Sequence, residues 1–284
     1  MSTRTESIAL EDELGDILDK ALTLARLPVD EAAKLAQVDT GKLRDAIDWR
    51  SELDCAELGR LAKVLGLNEV GLCALAGNRY PLPEVGGLPF CLKPLHMTRG
   101  IGVANAYVLS ECGGSRGILF DTGTGIDALR AEWPERIRDI EAIFLTHIEP
   151  EHAGGLCDLA RHFRIGKIYM PTGAHSEVCG SVLAEGQQWS GLGLRVTAMN
   201  TPGHSDAHNC YRVQSSCCGR GRSVLITGDL LFAGSVGSAF YCADRLRGSV
   251  RRVLEAVPAD TVIAPGHGPL STVANELKYN PFVV

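Results

Sequence analysis

The feature that most limits how this chain can fold is the run Thr146-His147-Ile148-Glu149-Pro150-Glu151-His152, which follows directly on the apolar segment Ala142-Ile143-Phe144-Leu145. It packs four side chains able to hold a metal into six consecutive positions, 147 to 152. Alternate residues leaving a strand project to the same side, so 147, 149 and 151 can converge while His152 turns in behind them. Three more candidates follow apolar, strand-like runs in Pro/Gly or Gly turns: His204 in TPGH, Asp229 in ITGD and His267 in APGH. Asp121, after ILF, is expected to anchor a ligand from behind. Any one of these alone reads as an ordinary satisfied polar group. Together, at the ends of successive strands on a rigid scaffold, they point to one metal site. His175, Asp206 and His208 read as solvated polar residues, with contacts near the site as the alternative.

The texture of the chain changes near residue 79. Up to residue 78, apolar residues recur at helical spacing over 10–26, 29–36, 40–49, 55–65 and 68–76, which predicts an all-α domain of five helices. Pro28 suits a first helical turn, Thr40 a cap, and Gly66 and Gly77 helix ends. The stretch rich in Pro and Gly that begins at residue 79 predicts a linker over 79–87. From 88 to 284, short β-branched or apolar runs end in turn residues, among them AYVLS, GILFDTG, AIFLTH, KIYMPTG, LRVTAMNTPGH, SVLITGD and TVIAPGHG. Helical stretches around GIDALRAEWPERIRD and ADRLRGSVRRVLEAV make this second region mixed α/β.

A length of 284 residues suits two domains of unequal size. No apolar run approaches the ~20 residues of a membrane span, and the acidic first twenty residues lack the pattern of a secretory signal. A cytoplasmic protein with no membrane partner is expected. Its ten cysteines show no C-x-x-C spacing, which fits reduced thiols. The adjacent Cys217 and Cys218 are a candidate redox-sensitive pair.

The succession NAYVL, LFDTG, TH-x-E-x-EH, TPGH, TGD and PGHG resembles the metallo-β-lactamase superfamily over roughly residues 88–270. The resemblance implies a four-layer αββα sandwich carrying one or two divalent metal ions per chain. In the family's pattern His147 and His204 hold the first metal with position 149. Glu151, His152 and His267 hold the second, Asp229 bridges, and Asp121 steadies a ligand histidine. The implied activity is hydrolysis of a small-molecule ester, thioester, lactone or phosphoester, with Glu151 and Asp229 in catalytic roles. Two residues depart from the usual pattern, Glu149 for His and Glu151 for Asp. An added carboxylate makes the site harder and shifts preference from zinc toward iron or manganese. Glu149 also resembles the flavodiiron proteins, which keeps open a non-haem iron or diiron redox enzyme or sensor. The turns TPGH, TGD and PGHG look like glyoxalase-type hydrolases. Only 17 residues follow His267, so the C-terminal helical domain of a true glyoxalase II is not expected.

Residues 12–78 resemble a Cro/repressor-type helix-turn-helix domain, with Thr40, Gly41, Lys42 and Arg44 at the positions that would face DNA. Residues 1–85 hold 10 basic against 16 acidic side chains, a balance that speaks against phosphate binding. A homodimerisation or interaction module, or a roof over the active site, fits that balance better. A helix-turn-helix regulator whose metal domain binds a signal is the third reading.

Overall fold

The computed structural model describes residues 8–99, 102–175, 180–217 and 221–284. Five helices come first: α1 (Leu14–Ala25), α2 (Val29–Ala36), α3 (Thr40–Ile47), α4 (Cys55–Leu65) and α5 (Glu69–Ala76). Their apolar faces close a core of their own, in which Ile17, Leu18, Leu43, Leu58, Leu61 and Leu72 are fully buried. The ends follow local chemistry. Asp54 accepts from the Glu57 amide while Glu57 accepts from the Asp54 amide, a reciprocal cap that starts α4, and Gly66 at φ +67° ends it. Asp39, one residue before the expected Thr40, caps α3 by accepting from the Lys42 amide. Helix α3 stops at Ile47, short of the expected 49, because the chain turns through Trp49 at φ +56°.

Two six-stranded sheets follow, in the orders β1-β2-β3-β4-β5-β6 and β14-β13-β10-β9-β8-β7. The first comprises β1 (Cys91–Arg99), β2 (Gly102–Ser110), β3 (Arg116–Phe120), β4 (Asp139–Phe144), β5 (Ile168–Met170) and β6 (Ser181–Val182). The second comprises β7 (Gln188–Gly191), β8 (Leu194–Asn200), β9 (Asn209–Ser215), β10 (Val224–Gly228), β13 (Val262–Pro265) and β14 (Ser271–Thr272). A small hairpin, β11 (Leu231–Phe232) with β12 (Ser235–Val236), lies beyond β10. The helices of this region are α6 (Ile126–Glu132), α7 (Pro150–Ala153), α8 (Leu156–His162), α9 (Ala243–Ala256) and α10 (Val273–Tyr279).

Period-two alternation along continuously apolar strands dictates the layering. Ile118 and Phe120 of β3, Ala142 and Phe144 of β4, Val224 and Ile226 of β10, and Val262 and Ala264 of β13 meet in the core between the sheets. The intervening Leu119 and Ile143 face α6 and α8, with Leu129, Leu156 and Leu159. Leu225 and Ile263 face α9, with Leu246, Val250 and Val253. The result is the four-layer αββα metallo-β-lactamase fold, as the α/β motif order implied. Strand β9 and helices α8 and α10 carry no clear periodic signal in the sequence; the Asn209–Ser215 run ends in polar residues that mask it.

The helices do not hang from a bare tether. Residues 79–87 carry no helix or strand, yet Tyr80 donates to Glu276 at 2.7 Å. Buried Glu276 also accepts from Asn280 Nδ2 at 2.8 Å, from the Gly234 amide at 2.9 Å and from Ser271 Oγ. Asn68 donates from its amide to Pro281 O at 2.7 Å and from its side chain to Lys278 O at 3.0 Å. Gly71 admits the backbone of Tyr279 so closely that any Cβ would overlap it. In α3, Lys42 pairs with Glu57 at 2.6 Å and Arg44 with Asp30 at 2.7 Å. Cys217 is exposed, while Cys218 lies outside the described residues. Among the described residues no helix is long and apolar enough to cross a membrane.

Replacing Glu276 strands several buried donors at once, each costing about 1–3 kcal/mol when left unpaired. Glu276→Leu is therefore expected to lower unfolding free energy by roughly 3 kcal/mol or more. Urea denaturation read by circular dichroism measures this, and a loss below ~1 kcal/mol would show that the hub is dispensable.

Candidate metal centre

The parallel pairing of β3 with β4 and of β10 with β13 sets the site, because parallel neighbours deliver their C-terminal ends side by side. Asp121 and His147 leave the first pair, and Asp229 and His267 leave the second. His204 comes from the loop between β8 and β9. The alternation expected to bring 147, 149 and 151 together stops at Glu149, since Pro150 occupies the first position of α7. Glu151 and His152 are therefore presented by the first turn of that helix.

Asp229, 5% exposed, is the centre of the constellation. Its Oδ1 lies 3.3 Å from His152 Nε2, and its Oδ2 lies 3.4 Å from His267 Nε2, 3.7 Å from His204 Nε2 and 4.0 Å from His147 Nε2. Two groups result, each with donor atoms within 4.8 Å of one another: His147, His204 and Asp229, and Glu151, His152, Asp229 and His267. Glu149 stands outside both groups and reaches the cluster through His204 Nε2, 3.1 Å away.

The far side of each ring is held so that Nε2 faces inward. His204 Nδ1 donates to Ser238 O at 2.9 Å, and His267 Nδ1 donates to Val103 O at 3.0 Å. Asp121 accepts from both the Thr146 amide and Oγ1 at 2.8 Å. The Thr146 hydroxyl, committed as a donor, accepts in turn from His147 Nδ1 at 2.9 Å. The same Asp121 Oδ2 that accepts from the Thr146 hydroxyl lies 3.3 Å from His152 Nδ1. Asp121, at φ +57°, thus steadies two rings, where the sequence pointed to one. Asn105, in the NAYVL motif, donates to Pro265 O at 3.0 Å and Gly268 O at 2.8 Å, latching the loop of His267 across the sheets.

The electrostatics suit a cation. Burial and the neighbouring His152 push His147 well below the usual histidine range, so its ring is neutral. Burial would raise Asp229, but His152 and His267 hold it well below the carboxylate range. Burial also disfavours a charged His152, yet Asp229 and Asp121 outweigh it and hold a proton there, the kind of proton that metal binding releases. His147 Nε2, His152 Nε2 and Asp229 Oδ1 are buried without a hydrogen-bond partner. Buried polar atoms are seldom left so, and a divalent cation would satisfy them.

Sequence reasoning undervalued His208. Far from being solvated, it is fully buried, its ring 5.3 Å from that of His147, and burial with the His204 charge pushes its pKa down to about 3. Its place four residues after His204 in TPGHSDAH is the signal that could have found it. His175 and Asp206 are exposed, as expected. The cavity in front of the cluster, about 210 Å³, is lined by Glu11 and Lys20 of the N-terminal region, in line with the expected roof although these residues were not singled out, and by Phe240.

A family model described as the metallo-beta-lactamase superfamily matches residues 99–178. A hydroxyacylglutathione hydrolase from Citrobacter koseri is 32% identical over 162 residues, 57% of this chain and 60% of the relative. A second, from Salmonella dublin, is 29% identical over 152 residues, 54% of this chain and 57% of the relative. The chain thus spans less than two thirds of the length of these curated relatives. Among solved structures, the B3 metallo-β-lactamase BLEG-1 is 25% identical with a TM-score of 0.58, covering 68% of this chain and all of the other. TTHA1623 in a di-iron-bound form is 27% identical with a TM-score of 0.52, covering 66% and 98%. The matched segment and these neighbours support the metallo-β-lactamase superfamily, with glyoxalase-type hydrolases among its similar members.

Gly266 leaves space for the cluster, since a methyl group there would overlap Asp229 Oδ1 and crowd His152 Cε1. Gly266→Ala keeps every donor yet is expected to weaken metal retention by about 10–100-fold, as displaced supporting contacts do. Metal content after graded dialysis against a chelator measures it, and retention equal to the parent would contradict this geometry.

Proposed function

We propose that this chain is a metal-dependent hydrolase of thioesters or related activated esters. The observation that carries the reading is the pair of donor groups sharing Asp229 at the floor of an open cavity. His147 and His204 would hold one metal, Glu151, His152 and His267 the other, and Asp229 both, with Glu149 able to join through its contact with His204. A divalent metal supplies a Lewis acid that lowers the pKa of water toward ~7 and polarises a carbonyl oxygen. With only the first metal bound, the half-buried Glu151 carboxylate, which lines the cavity, would instead accept a proton from the attacking water and return it to the leaving group. Buried Asp121 and Thr146 keep the His147 and His152 rings oriented throughout. The hydroxyacylglutathione hydrolase relatives favour a thioester among the ester chemistries.

DNA has no part in this proposal. The two α3 cations that a helix-turn-helix reading would use, Lys42 and Arg44, are paired with Glu57 and Asp30.

Turnover of a panel of acyl thioesters by metal-reconstituted protein tests the reading. His147→Ala and Asp229→Asn are each expected to lower kcat/KM by about 10³-fold, or ~4 kcal/mol of transition-state stabilisation. Activity indifferent to both substitutions would overturn it.

Glu149 supports a second reading, an iron-dependent redox protein, since a carboxylate in contact with His204 and two residues from His147 would, on joining them, make a two-histidine, one-carboxylate set. The di-iron-bound TTHA1623 structure adds weight to iron. Elemental analysis of protein purified from medium holding both metals separates the two. Iron or manganese in the parent, replaced by zinc in Glu149→His, is expected if the carboxylate selects the metal; zinc in both forms would exclude that selection.

A further inference from the structure

The cavity over the metal cluster is walled on one side by α1 and the residues before it, which supply Glu11 and Lys20. Lys20 is only 17% exposed and is held in place from below. Its Nζ donates to Asp12 Oδ2 at 2.5 Å and to Val236 O at 2.9 Å, and it lies 5.5 Å from the centroid of the Phe232 ring. Asp12 is itself buried and accepts from Ser235 Oγ, so the ammonium is tied to the hairpin β11–β12. An ammonium has three N–H donors, and two are used. Among the described residues the third has no hydrogen-bond acceptor, and Lys20 lines the cavity.

We propose that Lys20 is a substrate-binding residue, and that the substrate is a thioester or ester whose acyl part carries a carboxylate remote from the scissile carbonyl. This rests on the hydrolase reading above. Lys20 is the single lysine or arginine lining the cavity among the described residues; the other charged side chains there, apart from His204 and His267, are Glu11, Glu149, Glu151 and Asp229. Of these, Glu149, Glu151 and Asp229 stand at the metal cluster, and Glu11 lies 3.7 Å from His267 Nδ1. An anionic tail therefore finds one fixed cation, 5.5 Å from the Phe232 centroid, which itself lies 5.6 Å from that of His267. One free N–H beside the Asp12 carboxylate fits a carboxylate oxygen, whereas a phosphate dianion calls for several donors. Because Asp12 and Val236 fix the ammonium before substrate arrives, little side-chain entropy is lost on binding.

The test compares two thioesters of N-acetylcysteamine, succinyl and butyryl, which differ by a terminal carboxylate in place of a methyl. With metal-loaded parent protein, kcat/KM for succinyl is expected to exceed that for butyryl by about tenfold, mainly through KM. Lys20→Gln keeps donors for Asp12 and Val236 while removing the charge, and it should abolish the preference; Lys20→Arg should keep most of it. Lys20→Met, checked for folding by thermal denaturation, should behave as Lys20→Gln. In parallel, calorimetric titration with glutarate and with butyrate reads binding without turnover, and the same tenfold preference, lost in Lys20→Gln, is expected. No preference in the parent, or one unchanged in Lys20→Gln, would overturn the assignment. A glutarate preference that depends on Lys20 in a protein that cleaves neither thioester would uphold the carboxylate site and sink the thioesterase reading instead.

Discussion

Everything in the donor cluster turns on one buried carboxylate. Asp229 sits among four imidazoles, from 3.3 to 4.0 Å away, with almost no access to solvent. An ionised carboxylate in such surroundings is tolerable only with positive charge beside it. Protons on His152 and His267 meet that need without a metal, and a cation meets it with one. The rest of the cradle follows from the same requirement. Gly266 and Gly237 keep their Cβ positions empty around this residue, and Asp121 and Thr146 aim the rings toward it.

The scaffold makes the convergence inexpensive. Three strand ends, one loop and the first turn of α7 deliver the donors, and the strands are pinned on both faces by alternating apolar side chains. Phe120, Phe144 and Tyr169 stack through the inter-sheet core with Tyr211 tilted against them, so the ends of β3 and β4 have little room to shift. Tyr211 and Tyr107 place their hydroxyls on Leu145 O and Pro265 O, at 2.7 Å each, next to the turns that carry His147 and His267. Rigidity is thus transmitted from the core to the ligands through backbone carbonyls.

Much of this was legible in the residues themselves. Strand-end turns announce themselves through Pro and Gly, and imidazoles and carboxylates recurring after several apolar runs point together to a shared site. The donors His147, His152, His204, Asp229 and His267 could therefore be named from order and spacing. Helix periodicity likewise located the five N-terminal helices to within a few residues. What could not be read was contact across the chain. His208 follows His204 by four residues, but that spacing alone does not tell a buried ring from a solvated one. Glu149 and Glu151 differ by two positions, yet a helix begins between them and sends them to different neighbours. The apposition of α1 to the cavity depends on Asp12 meeting Ser235, a separation of 223 residues that no periodicity encodes.

Helix α1 belongs to two cores at once: Ile17 and Leu18 are buried among the N-terminal helices, and Leu24 is buried against α9 and the outer face of the second sheet. A shared helix of this kind makes the N-terminal part poorly portable, because excision would open an apolar seam on the sandwich as well as remove a wall of the cavity. It also separates two evolutionary tasks. Substitutions along α1 can reshape what the cavity admits while the metal cradle, built from other strands and loops, stays as it is. Selectivity and chemistry are therefore free to drift at different rates within one polypeptide.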